Sequence, residues 1–286
     1  MTDTALKAKA EAFLKMHHDP DILVLPNAWD GASAVVLAGV GFPAIATTSA
    51  GVAFARGYPD GETIGRTEMC EEVSRIAALV DLPVTADMEA GYGAAPEDVA
   101  ETVRHVIAAG GIGANIEDGV PDGSAPLFEL SLAVERIAAA REAADALGVA
   151  FVVNARTDGY LVGGKLDADP FAESVKRANA YREAGADCTY VPGAFEGDVV
   201  AKLVAEIDGP LNILASARTP PTAELQDIGV ARVSVGGGFA RSCYAFARRA
   251  AEELRHAGTY GYVEGSYSNP ELDALMSAAR GGGQSD

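Results

Sequence analysis

Cysteine is scarce in this chain, and the three present, Cys70, Cys188 and Cys243, stand far apart with no Cys-x-x-Cys spacing. That pattern excludes a disulfide framework and a structural zinc site. Basic residues are also few: 22 Lys and Arg face 41 Asp and Glu, for a net charge of −19. So acidic a surface repels phosphate backbones and argues against a nucleic-acid partner. Long apolar runs are missing, and none approaches the roughly 18 residues of a membrane span. The N-terminal MTDTALKAKAEAFLKMHHDP reads as a polar amphipathic helix and not as a signal peptide. A cytoplasmic protein with no membrane partner is the expectation. The four histidines, His17, His18, His105 and His256, all fall on helical stretches or in the N-terminal segment, where none is placed for acid–base work. No Gly-x-Gly-x-x-Gly follows a strand and there is no P-loop string, so a nucleotide-binding reading has little support.

What the chain does have is a hydrophobic share of 49% over 286 residues, enough for a large core. Short apolar runs alternate with amphipathic helical stretches: ILVLP near 22–26, PAIATTS near 43–49, PVTADME near 83–89 and IGANIED near 112–118. AFVVNART near 150–157, DCTYVPG near 187–193, PLNILAS near 210–216 and ARVSVGG near 231–237 complete the series. These runs do not alternate apolar with polar, as expected for parallel strands buried on both faces. The helices between them have readable ends, with Pro96, Glu97 and Asp98 opening one and Gly148 and Gly185 stopping two others. Eight strands with intervening helices predict a single α/β domain, a (β/α)8 TIM-type barrel with an N-terminal helix, over residues 1–256. Residues 257–286 form a tail with one short helix opened by Asn269 and Pro270, and its GGGQSD end is expected to be disordered.

On a barrel the C-terminal strand ends converge on one mouth, where function sits. Reading them in order gives Asn27, then Thr47-Thr48-Ser49, then Asp87 and Glu89, Glu117 and Asp118, Arg156 and Asp158, and finally Asn212 and Ser216. Asp87 and Glu89 are two apart on one strand, so both side chains are expected on the same face, with Glu117 arriving from the next strand. Three carboxylates without a neutralising partner repel each other, and a hard divalent cation, Mg²⁺ or Mn²⁺, resolves this. Arg156, in NARTD, has the planar donor fork suited to clamping a substrate carboxylate. The TTSAG turn offers backbone N–H groups that could hold another. Asp30 reads as a helix N-cap, and Gly236-Gly237-Gly238 as a close-packing turn. Two long loops, near 52–65 and 118–130, break the rhythm of the repeat.

The strings PNAWD, TTSAGVA, PDGE, DMEAGYG, NIEDG and NARTD, in that order and spacing, resemble the isocitrate lyase/phosphoenolpyruvate mutase superfamily over roughly Leu25 to Leu254. The resemblance implies that Asp87 approaches Mg²⁺, with Glu89 and Glu117 completing its surroundings largely through water. It also implies that Asp60 stands near the metal shell, that Thr48, Ser49 and Ala50 hold the substrate carboxylate, and that Arg156 binds substrate. Members pair subunits by exchanging the eighth helix, here AFARRAAEELRHA, so a homo-oligomer, dimer or tetramer, is implied. Two departures bear on activity. The family's lyases carry a Lys-Lys-Cys-Gly-His-like loop after the fourth strand, whereas here the place reads GVPDGSAPLFEL, with no Cys, Lys or His. The mutase branch's Lys, Asn-Ser pair and tryptophan are missing too, the last replaced around Ala46.

The reading that follows is a Mg²⁺- or Mn²⁺-dependent enzyme acting on small 2-oxo or 2-hydroxy dicarboxylic acids through an enolate. Oxaloacetate-type decarboxylation or a related C–C cleavage is preferred because it needs no base to start. In this reading Asp60, Arg156 and Glu117 act in catalysis. Thr48, Ser49, Ala50, Arg156 and Asn212 bind substrate, and Asp87, Glu89 and Glu117 hold the metal. Water or a tyrosine, Tyr58, Tyr92 or Tyr160, returns the proton. Phosphonopyruvate-type P–C hydrolysis and a catalytically silent 2-oxo acid binder are the alternatives.

Overall fold

The computed structural model of the chain describes residues 3–281, so the GGGQSD terminus lies almost wholly outside the described residues. The chain opens with α1 (Asp3–Met16), β1 (Leu23–Leu25), β2 (Asn27–Ala28) and α2 (Gly31–Gly39). It continues with β3 (Ile45–Thr47), α3 (Ser49–Ala55), α4 (Arg66–Leu79), β4 (Val84–Asp87), α5 (Pro96–Ala108) and β5 (Gly113–Glu117). Then come α6 (Leu130–Ala146), β6 (Val152–Arg156), the single-turn α7 (Gly159–Val162), α8 (Pro170–Glu183), β7 (Cys188–Tyr190) and α9 (Gly197–Glu206). The last elements are β8 (Leu211–Leu214), α10 (Thr222–Ile228), β9 (Arg232–Ser234), α11 (Gly238–His256) and α12 (Asn269–Gly281). Among the described residues, no helix is long and apolar enough to cross a membrane.

All nine strand segments pair in parallel, in the order β1-β9-β8-β7-β6-β5-β4-β3-β2. The first expected strand is thus two segments. Pro26 has no N–H to give to a ladder, and it divides the run. β1 pairs with β9 (Leu23↔Arg232), β2 pairs with β3 (Asn27↔Ala46), and the Pro26 carbonyl still accepts from Ala46 N at 2.9 Å. One kinked strand therefore serves both neighbours and closes the barrel with eight positions. Leu23 and Leu25, Ile45, Val84, Ala114, Val152, Val153, Ile213 and Val233 are buried, which is why these strands read as apolar runs and not as alternating ones.

The helix ends follow the sequence signals. Asp30 caps α2, its Oδ1 accepting from Ser33 N at 2.7 Å while Ser33 Oγ accepts from Asp30 N at 3.1 Å. Pro96 and Pro170 sit in the first turns of α5 and α8. Beyond the barrel cylinder, α1 contributes Ala10 and Phe13 to the main core, and α12 lies against α2.

Two touching loops, after α3 and after β4, are built against local preference. Glu62, Glu89 and Tyr92 are the non-glycine residues with left-handed backbone among those described, at φ of 55°, 49° and 58°. Such conformations persist only where the surroundings over-determine them. Here they do: buried Arg136 of α6 donates to the carbonyls of Ala90, Gly93 (2.6 Å) and Ala94 (2.8 Å), its guanidinium 4.2 Å over the Phe128 ring. Arg66 donates to Tyr92 O at 2.9 Å, Thr102 Oγ1 donates to Gly91 O at 2.7 Å, and Tyr92 N donates to Glu62 Oε1 at 2.8 Å. Arg136→Leu leaves three loop carbonyls without donors and is expected to cost about 2–4 kcal/mol. The urea midpoint of the variant measures this, and an unchanged midpoint would refute the clamp.

Candidate active site

The geometry of the mouth centres on Asp87, the last residue of β4. Its Oδ2 accepts from Ser49 N (3.1 Å) and Ser49 Oγ (2.9 Å), and its Oδ1 accepts from Asn115 Nδ2 (3.2 Å). Its own N–H donates to Thr47 Oγ1 at 2.9 Å. Asn115 cannot flip, because its Oδ1 accepts from Asn154 Nδ2 at 2.7 Å. Asp87 is thus gripped on its two oxygens by the first residue of α3 and by β5, with β6 one step removed, and on its N–H by β3.

Glu89 departs from expectation. β4 ends at Asp87, and the left-handed turn at Glu89 breaks strand alternation, so the two acids are not related by a strand face. Glu89 Oε2 accepts from the Glu62 N–H. Burial, with the nearby charge of Asp87 second, pushes its carboxyl from 4.5 up to about 8. Glu117, at the end of β5, turns to Arg156 at the end of β6, with Nη1 2.6 Å from Oε2. Arg156 Nε and Nη2 donate to the two Asp158 oxygens at 2.6 and 3.0 Å. Burial works against the Arg156 cation, but Glu117 and Asp158 outweigh it and hold it charged. Asp60, carried in by the loop after α3, has its carboxyl raised first by burial and then by Asp87.

The mouth is divided into two chambers. A cleft of about 350 Å³ is faced by Thr48, Ser49, Ala50, Asp60, Asp87 and Arg156, with an opposite wall of Leu161, Pro192, Phe195, Leu214 and Val235. A second, of about 390 Å³, lies under the 119–126 loop and is faced by Glu89, Glu117, Asp158 and Lys165. The three carboxylates expected around one ion are therefore not gathered at one point. Among the described residues, no group of three or more His, Cys, Asp or Glu is arranged to hold a metal directly. Asp87 and Asp60 do share the first cleft. Mg²⁺ keeps several waters and needs only one or two carboxylates, and the donor set is all oxygen, so the residues present fit such an ion at Asp87.

Other expected residues fall as follows. The TTSAG segment is not a turn but the start of α3. Thr48 is its N-cap, its Oγ1 accepting from Gly51 N at 3.4 Å, and Ser49 N is used by Asp87, which leaves the Ala50 N–H for an anion. Asn212 lies one layer below the cleft, fully buried, donating to Ser234 Oγ at 3.2 Å. It is the second residue of β8, and the wall of the cleft is made by Leu214 to Ala217 beyond it. Of the tyrosines, Tyr58, Tyr92 and Tyr160 do not face the cleft, whereas Tyr190 at the end of β7 does. Burial pushes the Tyr190 hydroxyl up to about 12, against the pull of Arg156. Asn115 was legible by stepping back two residues from Glu117 along one strand face. Tyr190 and Arg241 carried no motif that marks them.

A raised acid makes the metal-free protein sensitive to pH with a definite sign. The folded state keeps the Glu89 proton between about 4.5 and about 8 while the unfolded chain has lost it. Stability of the metal-free protein is therefore expected to fall as pH rises through that window, with Asp60 and Glu62, both raised chiefly by burial, adding the same sign. Thermal melts at pH 5 and pH 8 measure it: Glu89→Gln should flatten the slope, and Mg²⁺ should stabilise more at pH 8. A melting temperature that rises across the window refutes the assignment.

Residues 13–255 match the model of the phosphoenolpyruvate phosphomutase family. Among similar proteins, the 2-methylisocitrate lyase of Bacillus subtilis (strain 168) is 32% identical, over 77% of this chain and 73% of its own length. Among solved structures, a Burkholderia cenocepacia protein provisionally described as a lyase/mutase gives a TM-score of 0.90 at 38% identity, covering 96% of this chain and 97% of that one. Oxaloacetate acetylhydrolase in complex with its product oxalate gives 0.84 at 27% identity, covering 94% and 93%.

Proposed function

We propose, from the premise that this chain belongs to the phosphoenolpyruvate phosphomutase family of lyases and mutases, that it is a Mg²⁺- or Mn²⁺-dependent enzyme that breaks a carbon–carbon bond in a small 2-oxo dicarboxylic acid, with oxaloacetate-type decarboxylation as the reaction. The observation that carries this reading is the Asp87 carboxylate, locked by Ser49 and Asn115 at the edge of a cleft that also holds Asp60 and has an apolar far wall.

Asp87 would hold the ion directly and Asp60 would share its water shell, with Glu89 and Glu117 behind them. The ion, when bound, supplies Lewis-acid polarisation of the 2-oxo group. The chain's own residues do the rest. The Ala50 N–H and the α3 N-terminus receive the carboxylate beside the 2-oxo carbon. The distal carboxylate then lies against Leu161, Pro192 and Phe195, where losing its charge as CO₂ is favoured over keeping it. As that C–C bond breaks, its electron pair passes into the 2-oxo group to give an enolate. Tyr190, held protonated by burial, gives its proton to the enolate carbon and takes one back from water. No loop thiol is required for this sequence, which matches the absence of Cys, Lys and His from 119–130.

The test is the rate of oxaloacetate loss with and without Mg²⁺ or Mn²⁺. Metal-dependent loss well above that of the free ion is expected, falling to the free-ion rate in Asp87→Ala. Tyr190→Phe should lower kcat about 100-fold with little change in KM. Loss no faster than with the free ion sinks decarboxylation of oxaloacetate. That result would turn attention to 2-hydroxy diacids, phosphonopyruvate and silent binding.

We further propose that the protein is a homo-oligomer built through α11. That helix leaves Phe246 and Leu254 50% and 47% exposed, beside exposed Phe239 and Tyr244. A lone soluble chain gains nothing from an apolar helix face in water. Light scattering should give an even-numbered oligomer, and Phe246→Asp should shift it to a smaller species; a wild-type monomer contradicts this.

A further inference from the structure

We infer that Arg232, sealed in the barrel interior, is a positioning residue for Asp87: acting through Asn115, its buried charge sets how tightly Asp87 grips a divalent ion. The inference rests on the reading of Asp87 as the ion's ligand.

Arg232 opens β9, is fully buried and lines neither chamber of the mouth. Its partners across the sheet, Leu23 of β1 and Asn212 of β8, are neutral. From α1 come Phe13, whose ring centre lies 6.0 Å from the guanidinium carbon, and His17. His17 Nδ1 stands 2.9 Å from the Phe13 carbonyl, which can only accept, so Nδ1 carries the hydrogen. Its Nε2 then offers a lone pair to Arg232 Nη1 at 3.5 Å. On the other side, Arg232 Nη2 lies 3.5 Å from Asn115 Oδ1, and Asn115 Nδ2 donates to Asp87 Oδ1 at 3.2 Å.

Hydrogen bonding does not account for an arginine in this place. Both of its contacts sit at the outer limit of a hydrogen bond. Its Nε has no partner, and no carboxylate pairs with it among the described residues. Burying a cation on such terms is costly, so the field of the charge is what remains for it to contribute. Burial pushes the Arg232 pKa down, and of the groups that oppose this, Cys188, Tyr190 and Asp87, Asp87 is the carboxylate. The Asn115 amide stands between the two charges, its oxygen toward Arg232 and its nitrogen toward Asp87. Both charges favour that orientation, and Asn154 Nδ2 fixes it at 2.7 Å.

Without an ion, Arg232 offsets the charge that Asp87 sets against Asp60 and Glu89. A divalent ion at Asp87 has the same sign as Arg232, and salt screens so buried a pair poorly. The guanidinium therefore steadies the empty site and loosens the hold of the filled one.

The experiment titrates Mn²⁺ calorimetrically into the full-length, metal-free wild type, Arg232→Met and Arg232→Gln, with Asp87→Ala as the control for the site. Both variants remove the charge, but only glutamine can still donate to Asn115. Each neutral variant that folds should bind Mn²⁺ about 10- to 100-fold more tightly than wild type. A Kd within about twofold of wild type in either variant overturns the inference. Weaker binding in Arg232→Met alone shows that the residue only orients Asn115, and also overturns it. Mn²⁺ binding that survives Asp87→Ala unchanged sinks the metal site and this inference together. Asp87-dependent binding that is blind to Arg232 sinks the inference alone.

Discussion

An excess of carboxylates over cations at the barrel mouth shapes nearly everything around it. Asp60, Asp87, Glu89, Glu117 and Asp158 gather there, and Arg156 balances only two of them. The rest answer the repulsion in different ways. Glu89 takes up a proton, its carboxyl pushed up chiefly by burial, Asp60 is raised too, and Asp87 stays fixed by Ser49 and Asn115. The ion proposed at Asp87 would relieve that repulsion without desolvating a second set of basic side chains.

Rigidity is supplied from below and from the side. In the barrel interior Asn154 orients Asn115, and buried Arg232 approaches the same Asn115 Oδ1 at 3.5 Å. Arg232 has neutral company there. His17 lies 3.5 Å from its Nη1 and is driven down to about 3 by burial, with the Arg232 charge second. A buried cation without a carboxylate at hand is costly, and the Asp87 carboxylate lies one amide away. From the side, Arg136 and Arg66 hold the left-handed loop that carries Glu89 and Tyr92. Asp118 does the same for the next loop: its Oδ1 accepts from Asp158 N at 2.8 Å and its Oδ2 from Tyr181 Oη at 2.6 Å. Asp87, the loop of Glu89, and Asp158 are thus each supported by a residue that lines neither chamber.

The departures from the family's lyase pattern make physical sense together. Where a thiol-bearing loop is expected, the 119–127 segment closes on itself, with a bridge between Gly119 and Leu127 and a Phe128 N to Asp118 O bond at 2.8 Å. The polar groups of the first cleft are then carboxylates, hydroxyls, one tyrosine and the guanidinium groups of Arg156 and Arg241, beside the apolar side chains of Leu161, Pro192 and Phe195.

The barrel was readable from the chain because burial on both faces forces apolar runs, and helix ends need specific caps. All eight strand runs, the Asp30 cap and the Pro96 start are found where the residues put them. Asp87, Glu117 and Arg156 were readable at strand ends because the fold carries those ends to one face. The structure alone decided which of these charges pair. Glu117 and Arg156 neutralise each other across adjacent strands, Glu89 leaves the strand face through a left-handed turn, and Asn212 falls a layer short of the cleft. It also brought Tyr190, Lys165 and Arg241 to the mouth from places no motif marks. Periodicity and caps are local, so a sequence displays them, whereas pairing and depth depend on distances between segments far apart in the chain, and those exist only once the barrel has closed.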